Sequence, residues 1–233
     1  MEFPIRINKY LAEKGFSTRR GADALILKGV VFVNGKKAVI GQQVVDGDIV
    51  DVREKQKEYR YVLYYKPRGI ITHSPGAGET DIEARIKKDF GLAGLFPVGR
   101  LDKDSEGLVM LTDDGRITDR LLNPKYMHKR TYEVTVDKPI TSSFLVHMKH
   151  GVDIEGYVTK PADIEKVTND RFLITLTEGK KHQIRRMCAA QGYQIKVLKR
   201  VNILTLTLGG LKSGQYRTLQ GTELDTFLSG INL

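Results

Sequence analysis

The chain has 233 residues, of which 40% are hydrophobic and 28% are charged, so neither a disordered chain nor a fibrous repeat is expected. Lys and Arg outnumber Asp and Glu by 38 to 28, a formal net charge of +10 that is typical of proteins that meet phosphate. A single cysteine, Cys188, excludes an intramolecular disulfide framework, and the five scattered histidines favour chemistry without a metal or a cofactor.

No apolar run approaches the roughly 18 residues that span a bilayer, so we expect no membrane contact. The amino-terminal sequence Met1-Glu2-Phe3-Pro4 has an acid and a proline where a signal peptide would carry basic and then apolar residues. We therefore expect a cytoplasmic protein.

The first 57 residues predict two short helices followed by short strands. Ile7 and Leu11 have the i, i+4 spacing of a helix that ends before Gly15, and Ser17 is placed to cap the start of the second helix. Gly29 suits the position just after that helix. The strand and turn signals that follow are residues 30–33, the hairpin pair Asn34-Gly35, Val44-Val45, the turn Asp46-Gly47-Asp48 and Ile49-Val50.

Basic side chains lie on or beside these predicted elements: Lys9, Arg19, Arg20, Lys28, Lys36 and Lys37. Such charges suit a phosphate backbone, although charge alone favours a solvated helix face. The pattern resembles the α-L RNA-binding domain first known from a small-subunit ribosomal protein, through Arg6-Ile7-Asn8-Lys9, Leu11, Gly15, Ser17, Arg19-Arg20, Ala22, Ile26, Gly29, Val31, Val33 and Asn34-Gly35. The resemblance implies recognition of folded RNA by its shape and backbone, with Arg19, Arg20 and Lys36 among the substrate-binding residues.

Charged residues 53–60 have no apolar periodicity and predict a linker, which divides the chain into residues 1–57 and 58–233. The second part contains short strand-like runs at 61–65, 132–136, 172–176 and 204–208, with a few helical stretches. We therefore predict an α+β fold in which the small first domain precedes a larger domain with a mainly antiparallel mixed sheet.

The most informative segment of the second part is Gly99-Arg100-Leu101-Asp102, followed by Ser105-Glu106-Gly107-Leu108. It predicts a loop that leads into a buried strand and carries a carboxylate able to act as a nucleophile. Taken as an isolated residue, Asp102 would more often cap a turn or pair with a nearby arginine. The whole string resembles the signature of pseudouridine synthases.

Three further segments resemble motifs of the RsuA family of pseudouridine synthases, and together they extend the resemblance over most of the chain. They are residues 66–72 (Lys-Pro-Arg-Gly-Ile-Ile-Thr), 129–134 (Lys-Arg-Thr-Tyr-Glu-Val) and 178–187 (Glu-Gly-Lys-Lys-His-Gln-Ile-Arg-Arg-Met). Within that family, residues 136–141, 151–154, 158–160 and 182–187 look like the RluF branch, which modifies large-subunit (23S) ribosomal RNA.

The resemblance implies that the protein isomerises a specific uridine to pseudouridine. Asp102 would be the nucleophile, by attack on either the sugar or the base. Tyr132 would stack on the uracil and accept its C5 proton, and Arg185 would pair with the Asp102 carboxylate. Arg100 would fill the space that the extruded base vacates, and Ile184 would pack beneath Tyr132.

Lys66 precedes a predicted tight turn at Pro67 and Gly69, so we expect it to contact phosphate or to support the pocket. The partner is expected to be ribosomal RNA or a transfer RNA, and the enzyme a monomer. Two alternatives to a large-subunit target remain at this point: the same chemistry on small-subunit ribosomal RNA or a transfer RNA, and a non-catalytic ribosome-associated RNA-binding protein. A glycosylase that releases free uracil is a third.

Overall fold

A computed structural model describes residues 1–54, 57–76 and 78–233. The chain forms two compact units, the first made of residues 1–59, 114–117 and 233 and the second of residues 60–113 and 118–232. Two residues of the predicted linker, Lys55 and Gln56, lie outside the described residues. Within the described ranges, every helix is too short or too polar to cross a membrane.

The first unit contains two short helices and two small antiparallel sheets. Its elements are β1 (Ile5–Arg6), α1 (Ile7–Glu13), α2 (Arg19–Leu27), β2 (Val31–Val33), β3 (Lys36–Lys37), β4 (Gln43–Val44) and β5 (Val50–Val52). Strands β1 and β4 form one sheet, and β3, β2 and β5 form the other in that order. The buried core is apolar and includes Ile7, Leu11, Ala22, Ile26, Val31 and Val44. The two helices were predicted, and β2, β4 and β5 overlap the strand signals at 30–33, 44–45 and 49–50, but β1 was not predicted.

Helix α2 begins one residue later than predicted. Its N-cap is Thr18, whose side-chain oxygen accepts a hydrogen bond from the Gly21 main chain at 3.0 Å, so the assignment of Ser17 as the cap is wrong. Ser17 and Thr18 both carry a hydroxyl that could cap the helix. Thr18 is the cap because the free main-chain N–H of Gly21 lies three residues after it. The hairpin turn was predicted correctly, since Asn34 and Gly35 have φ of 48° and 78°, as a type I′ turn requires.

The second unit is built on one large sheet with helices packed against it. The elements that follow β5 in the chain are β6 (Tyr61–Lys66), α3 (Ile82–Phe90), β7 (Phe96–Val98), β8 (Glu106–Thr112), α4 (Arg116–Leu122), a 3₁₀ turn (Pro124–Tyr126), β9 (Arg130–Val136), α5 (Ser142–His150), β10 (Asp163–Lys166), β11 (Arg171–Leu176), α6 (Gln183–Ala190), β12 (Ile195–Ile203), β13 (Leu206–Thr207), β14 (Tyr216–Thr218) and α7 (Gly221–Gly230).

The strand order in the large sheet is β10-β11-β9-β12-β8-β6-β14, with β13 beside β12 and β7 beside β8. The β8–β12 pair is parallel and the other pairs are antiparallel, which confirms the predicted α+β fold with a mainly antiparallel mixed sheet. One hydrophobic cluster lies around β9, β11, α5 and α6, and another lies around β6, β8 and α3. Tyr132 on β9 packs against both clusters, so it lies where they meet.

The strand predicted at residues 204–208 is present only at Leu206–Thr207. Leu204 has a φ of 53°, and the turn that it begins separates β12 from β13, whose residues Ile203 and Leu206 pair with each other. The alternation of Leu204, Leu206 and Leu208 is that of a half-buried strand, but the pattern does not register the turn because a leucine occupies its left-handed position.

Gly107 allows strands β8 and β12 to approach closely in the centre of the sheet. It pairs with Arg200 on β12, and its φ is 112°. A Cβ atom at this position would lie 2.3 Å from the main-chain oxygen of Arg200. The strand that follows the candidate catalytic loop therefore depends on a residue without a side chain.

Gly107→Ala is expected to lower the free energy of unfolding by about 3–5 kcal/mol, because left-handed strain and a backbone clash add. Gly156→Ala is the matched control, since Gly156 also has a positive φ, of 84°, but a Cβ there meets nothing within 4 Å. The control should lose only about 1–2 kcal/mol. Urea unfolding of the two variants measures the difference, and equal losses would contradict the close approach.

Candidate active site

Asp102 lies in the loop between β7 and β8, at an open cleft with a volume of about 1170 Å³. Every residue that lines this cleft belongs to the second unit. Four of the predicted site residues line it together, namely Arg100, Asp102, Tyr132 and Ile184. The structure thus brings together side chains from the Asp102 loop, strand β9 and the start of α6.

The Asp102 loop is held through its main-chain oxygens. All five consecutive carbonyl groups of residues 100–104 accept hydrogen bonds, mostly from residues distant in sequence. In order, the donors are Nη1 of Arg200 (3.2 Å), Oγ1 of Thr72 (2.6 Å), the main-chain N of Ser105 (3.0 Å), the main-chain N of Gly69 (2.8 Å) with Nζ of Lys66 (3.3 Å), and Nη2 of Arg185 (3.2 Å). The main chain that carries Asp102 is therefore fixed by β6, β12, α6 and the loop after β6.

Lys66 supports this loop from below the surface. Its side chain is 0% exposed, and Nζ donates to the oxygens of Pro67 (3.0 Å), Ile70 (2.7 Å) and Lys103 (3.3 Å). Burial lowers the pKa of Lys66 to about 8, although the nearby Asp102 carboxylate acts in the opposite direction. Lys66 does not line the cleft, so of the two roles expected for it, support of the pocket fits its position and phosphate contact does not.

Arg185 does not form the expected pair with the Asp102 carboxylate. Its Nη2 donates to the main-chain oxygen of Asp104 and to Oγ of Ser105, both at 3.2 Å. Within the described part of the chain, the basic side chain that lies within 4 Å of the Asp102 carboxylate is His182 instead, with 3.6 Å between Nε2 and Oδ1. Arg185 therefore fixes the loop just after Asp102 rather than its reactive group.

Tyr132 and Arg100 present side chains to the cleft. Tyr132 is half-buried on β9, opposite Arg200 on β12, and packs against the hydrophobic cluster that includes Ile184. Arg100 is exposed, and its guanidinium has no hydrogen-bond or ion-pair partner among the described residues. No hydrogen bond or ion pair to another described residue therefore restrains the guanidinium.

Arg200 is a supporting residue that sequence reasoning missed. It is 2% exposed, and its guanidinium donates to the main-chain oxygens of Leu108 (2.7 Å) and Arg100 (3.2 Å). It stands two positions after the buried Leu198, on the same face of β12. A basic residue at an apolar position of a strand was the available signal, since a buried guanidinium needs nearby acceptors.

Glu178 holds the segment that leads into α6. Its carboxylate accepts hydrogen bonds from Oη of Tyr157 (2.6 Å), the main-chain N of Lys160 (2.9 Å) and Nε2 of Gln183 (2.8 Å). Burial acts to raise the pKa of Glu178, but these hydrogen bonds outweigh it and hold the pKa below its ordinary value. Glu178 thus fixes the main chain from which His182 and Ile184 reach the cleft.

The remaining predicted site residues lie elsewhere in the chain. Arg19, Arg20 and Lys36 are exposed in the first unit, at the start of α2 and on β3, and none of them lines the cleft. Cys188 is fully buried in α6, where burial raises the pKa of its thiol to about 12, so it is not a reactive thiolate. The described residues contain no group of three or more His, Cys, Asp or Glu side chains suited to a metal ion.

Comparison with known families assigns both parts of the chain. Residues 60–190 match the model of the RNA pseudouridylate synthase family, and residues 5–50 match that of the S4 domain. The first match includes Asp102, Tyr132 and Arg185, and the second includes Arg19, Arg20 and Lys36.

The chain is similar to characterised proteins over nearly its whole length. It is 41% identical to the dual-specificity RNA pseudouridine synthase RluF of Escherichia coli K12, over 94% of this chain and 77% of that protein. It is 34% identical to ribosomal large subunit pseudouridine synthase B of Bacillus subtilis, over 94% of this chain and 93% of that protein. A crystal structure of a pseudouridylate synthase superposes with a TM-score of 0.69 at 30% identity, over 97% of this chain and 99% of that one.

Glu178→Gln is expected to lower the free energy of unfolding at pH 7 by about 2–3 kcal/mol. The carboxylate accepts three hydrogen bonds, whereas the NH₂ group of the glutamine amide can only donate and would face one of those donors. The lowered pKa makes this contribution present above the unfolded pKa of a glutamate, roughly 4.3, and lost as the pH falls through the folded value. The difference between wild type and variant should therefore narrow below about pH 4.

Urea unfolding at pH 7 and at pH 3.5 measures this difference. Glu165→Gln on the exposed face of β10 is the control and should change stability by less than about 0.5 kcal/mol at both values. A difference that is equally large at both pH values would contradict the role assigned to the ionised carboxylate.

Proposed function

The chain belongs to the RNA pseudouridine synthase family, and from this premise we propose that it isomerises a specific uridine in large-subunit (23S) ribosomal RNA with Asp102 as the nucleophile. The observation that carries the proposal is the placement of the Asp102 carboxylate in an open cleft that Tyr132 and Arg100 also line. Because five successive main-chain carbonyl groups of residues 100–104 accept hydrogen bonds, the loop that carries Asp102 is preorganised.

The proposed reaction breaks the bond between N1 of uracil and C1′ of ribose and forms a bond between C5 and C1′. Asp102 attacks either C1′ or the base, which releases the base to turn within the cleft. When C5 bonds to C1′, the bond to Asp102 breaks and the carboxylate is regenerated. The proton on C5 must then leave while N1 gains one, and Tyr132 is the proposed acceptor or relay of the C5 proton. The product is an isomer of the substrate, so the reaction requires no oxidant and no water.

A uridine in folded RNA has to leave its stack before Asp102 can reach it. We assign Arg100 to the space that the base vacates, because its exposed guanidinium has no protein partner among the described residues. A planar cation can stack on the neighbouring bases and contact their phosphates. Ile184 belongs to the hydrophobic cluster against which Tyr132 packs, and we assign it to support the Tyr132 ring.

The choice of ribosomal RNA rests on the relatives. The Bacillus subtilis relative is named as an enzyme of the large ribosomal subunit, and the Escherichia coli relative is named as having dual specificity. The second name favours another RNA substrate, and a transfer RNA is the second candidate. An enzyme acting on ribosomal RNA works where ribosomes assemble, so a cytoplasmic location follows from the proposed substrate.

The first unit is proposed to bind RNA through its phosphates. It matches the S4 domain family over residues 5–50, and Arg19, Arg20 and Lys36 are exposed on it. Contacts of this kind position an enzyme on folded RNA without reading bases. The division of labour expected for residues 1–57 and 58–233 is thus binding in the first part and chemistry in the second.

Asp102→Asn is expected to lower the rate of isomerisation by at least about 10³-fold, because an amide is no substitute for a carboxylate nucleophile. Ribosomal RNA carrying tritium at C5 of its uridines reports the reaction, since formation of the C5–C1′ bond releases that label into water. Asp163→Asn, an exposed carboxylate on β10, is the control and should retain the wild-type rate. Release by Asp102→Asn within tenfold of wild type would contradict the proposal, and free uracil would indicate a glycosylase.

Replacing Arg19 and Arg20 by Ser is expected to weaken RNA binding about equally for target and unrelated RNA. The slope of log affinity against log salt concentration should fall by about 1 for each phosphate contact removed. Lys88→Ser, an exposed lysine on α3 of the second unit, is the control and should leave the slope unchanged. Filter binding between 50 and 200 mM salt, roughly the useful range, measures the slopes, and an unchanged slope in the double variant would refute phosphate contact by the first unit.

A further inference from the structure

His182 faces the Asp102 carboxylate across the cleft. Its Nε2 lies 3.6 Å from Oδ1 of Asp102, with the two side chains 49% and 40% exposed. His182 stands immediately before α6 and has a φ of 51°, in the left-handed region that residues other than glycine seldom adopt. Strain of this kind persists only where the surroundings fix it, and it concentrates at functional positions.

The residues on both sides of His182 are fixed by hydrogen bonds. The side chain of Gln183 donates to Glu178 at 2.8 Å and accepts from the main-chain N of Lys180 at 2.9 Å. The main-chain oxygen of His182 itself accepts from the N–H of Arg186 at 3.0 Å. These bonds hold the left-handed residue in place and direct its ring to the cleft that Asp102 lines.

We propose that His182 is a positioning residue for the nucleophile, and that its protonated ring holds the Asp102 carboxylate in place for attack. This inference rests on the proposed role of Asp102. Arg185, the cation expected to pair with that carboxylate, is instead bound to the main chain of Asp104 and the hydroxyl of Ser105. His182 is therefore the cationic partner that the structure provides for Asp102 within the described residues.

A histidine partner makes the support of Asp102 depend on pH. Histidine is the ordinary side chain whose charge changes between about pH 5 and 8, whereas lysine and arginine partners stay charged there. Other charged or titratable groups share the cleft: Arg100, Lys103, Arg130, Glu178, Lys180, Lys181 and Arg200, with two further histidines, His73 and His128. Buried Lys66 and bound Arg185 complete the surroundings of the Asp102 loop. The test has to separate His182 from the other histidines.

The experiment measures single-turnover tritium release by wild type, His182→Asn and His182→Arg between pH 6 and pH 8.5. Asparagine suits the test because, among uncharged residues with a side chain, it is one of those that most readily adopt the left-handed backbone conformation. The ratio of the His182→Asn rate to the wild-type rate is expected to be about tenfold lower at pH 6 than at pH 8.5. His182→Arg carries a permanent charge and should match wild type at pH 6 and exceed it at pH 8.5.

A ratio for His182→Asn that does not vary with pH would overturn the proposal, because a purely structural loss lowers the rate equally at every pH. Failure of His182→Arg to restore activity above the level of His182→Asn would also overturn it. His73→Asn is the control, and its ratio to wild type should not vary with pH. If the pH dependence followed His73 instead, the proposal would be wrong.

The outcome for His182 is separable from the outcome for the function. If Asp102→Asn is inactive and the His182 ratio is independent of pH, only the role of His182 fails. If Asp102→Asn is active, the nucleophile is misassigned and the inference falls with it. Thermal unfolding of each variant at both pH values shows whether a change in rate reflects loss of the fold.

Discussion

Hydrogen bonding to five successive main-chain carbonyl groups, those of residues 100–104, is the constraint on which the candidate active site depends. A loop between two strands has no ladder of its own, so its carbonyl groups need other donors. The donors come from β6, the loop after it, β12 and α6, which the large sheet brings to one end of β8. Gly107, directly after this loop, allows β12 to come close enough for Arg200 to take part.

This constraint divides the basic residues of the site into two groups. Lys66, Arg185 and Arg200 donate to main-chain oxygens and hold the loop, so their charges surround Asp102 without pairing with its carboxylate. Arg100 and His182 reach the open cleft and face the substrate space or the carboxylate. Lys66 and Arg200 are 0% and 2% exposed, so these two charges are already removed from water before the reaction begins.

The sequence predicted the fold class, the Asn34-Gly35 hairpin and the buried strand after Asp102, because these depend on local turn chemistry and apolar runs. It failed at Leu204, where a leucine occupies a turn position, and at Ser17, where two adjacent hydroxyls compete for one cap. The motifs identified Arg185 but not its acceptor, because that acceptor is a main-chain oxygen 81 residues away and every residue carries one. The place of Arg185 depends on tertiary structure that a motif does not encode.

The proposed isomerisation of a ribosomal RNA uridine by Asp102 can be tested in cells that lack the gene, by mapping pseudouridine in their ribosomal and transfer RNA. The cells would be complemented with the wild-type gene or with Asp102→Asn, and every uridine compared. We expect one site in large-subunit ribosomal RNA to lose its modification in these cells, and only the wild-type gene to restore it. Persistence of every site, or restoration by Asp102→Asn, would contradict the proposed function and the role of Asp102.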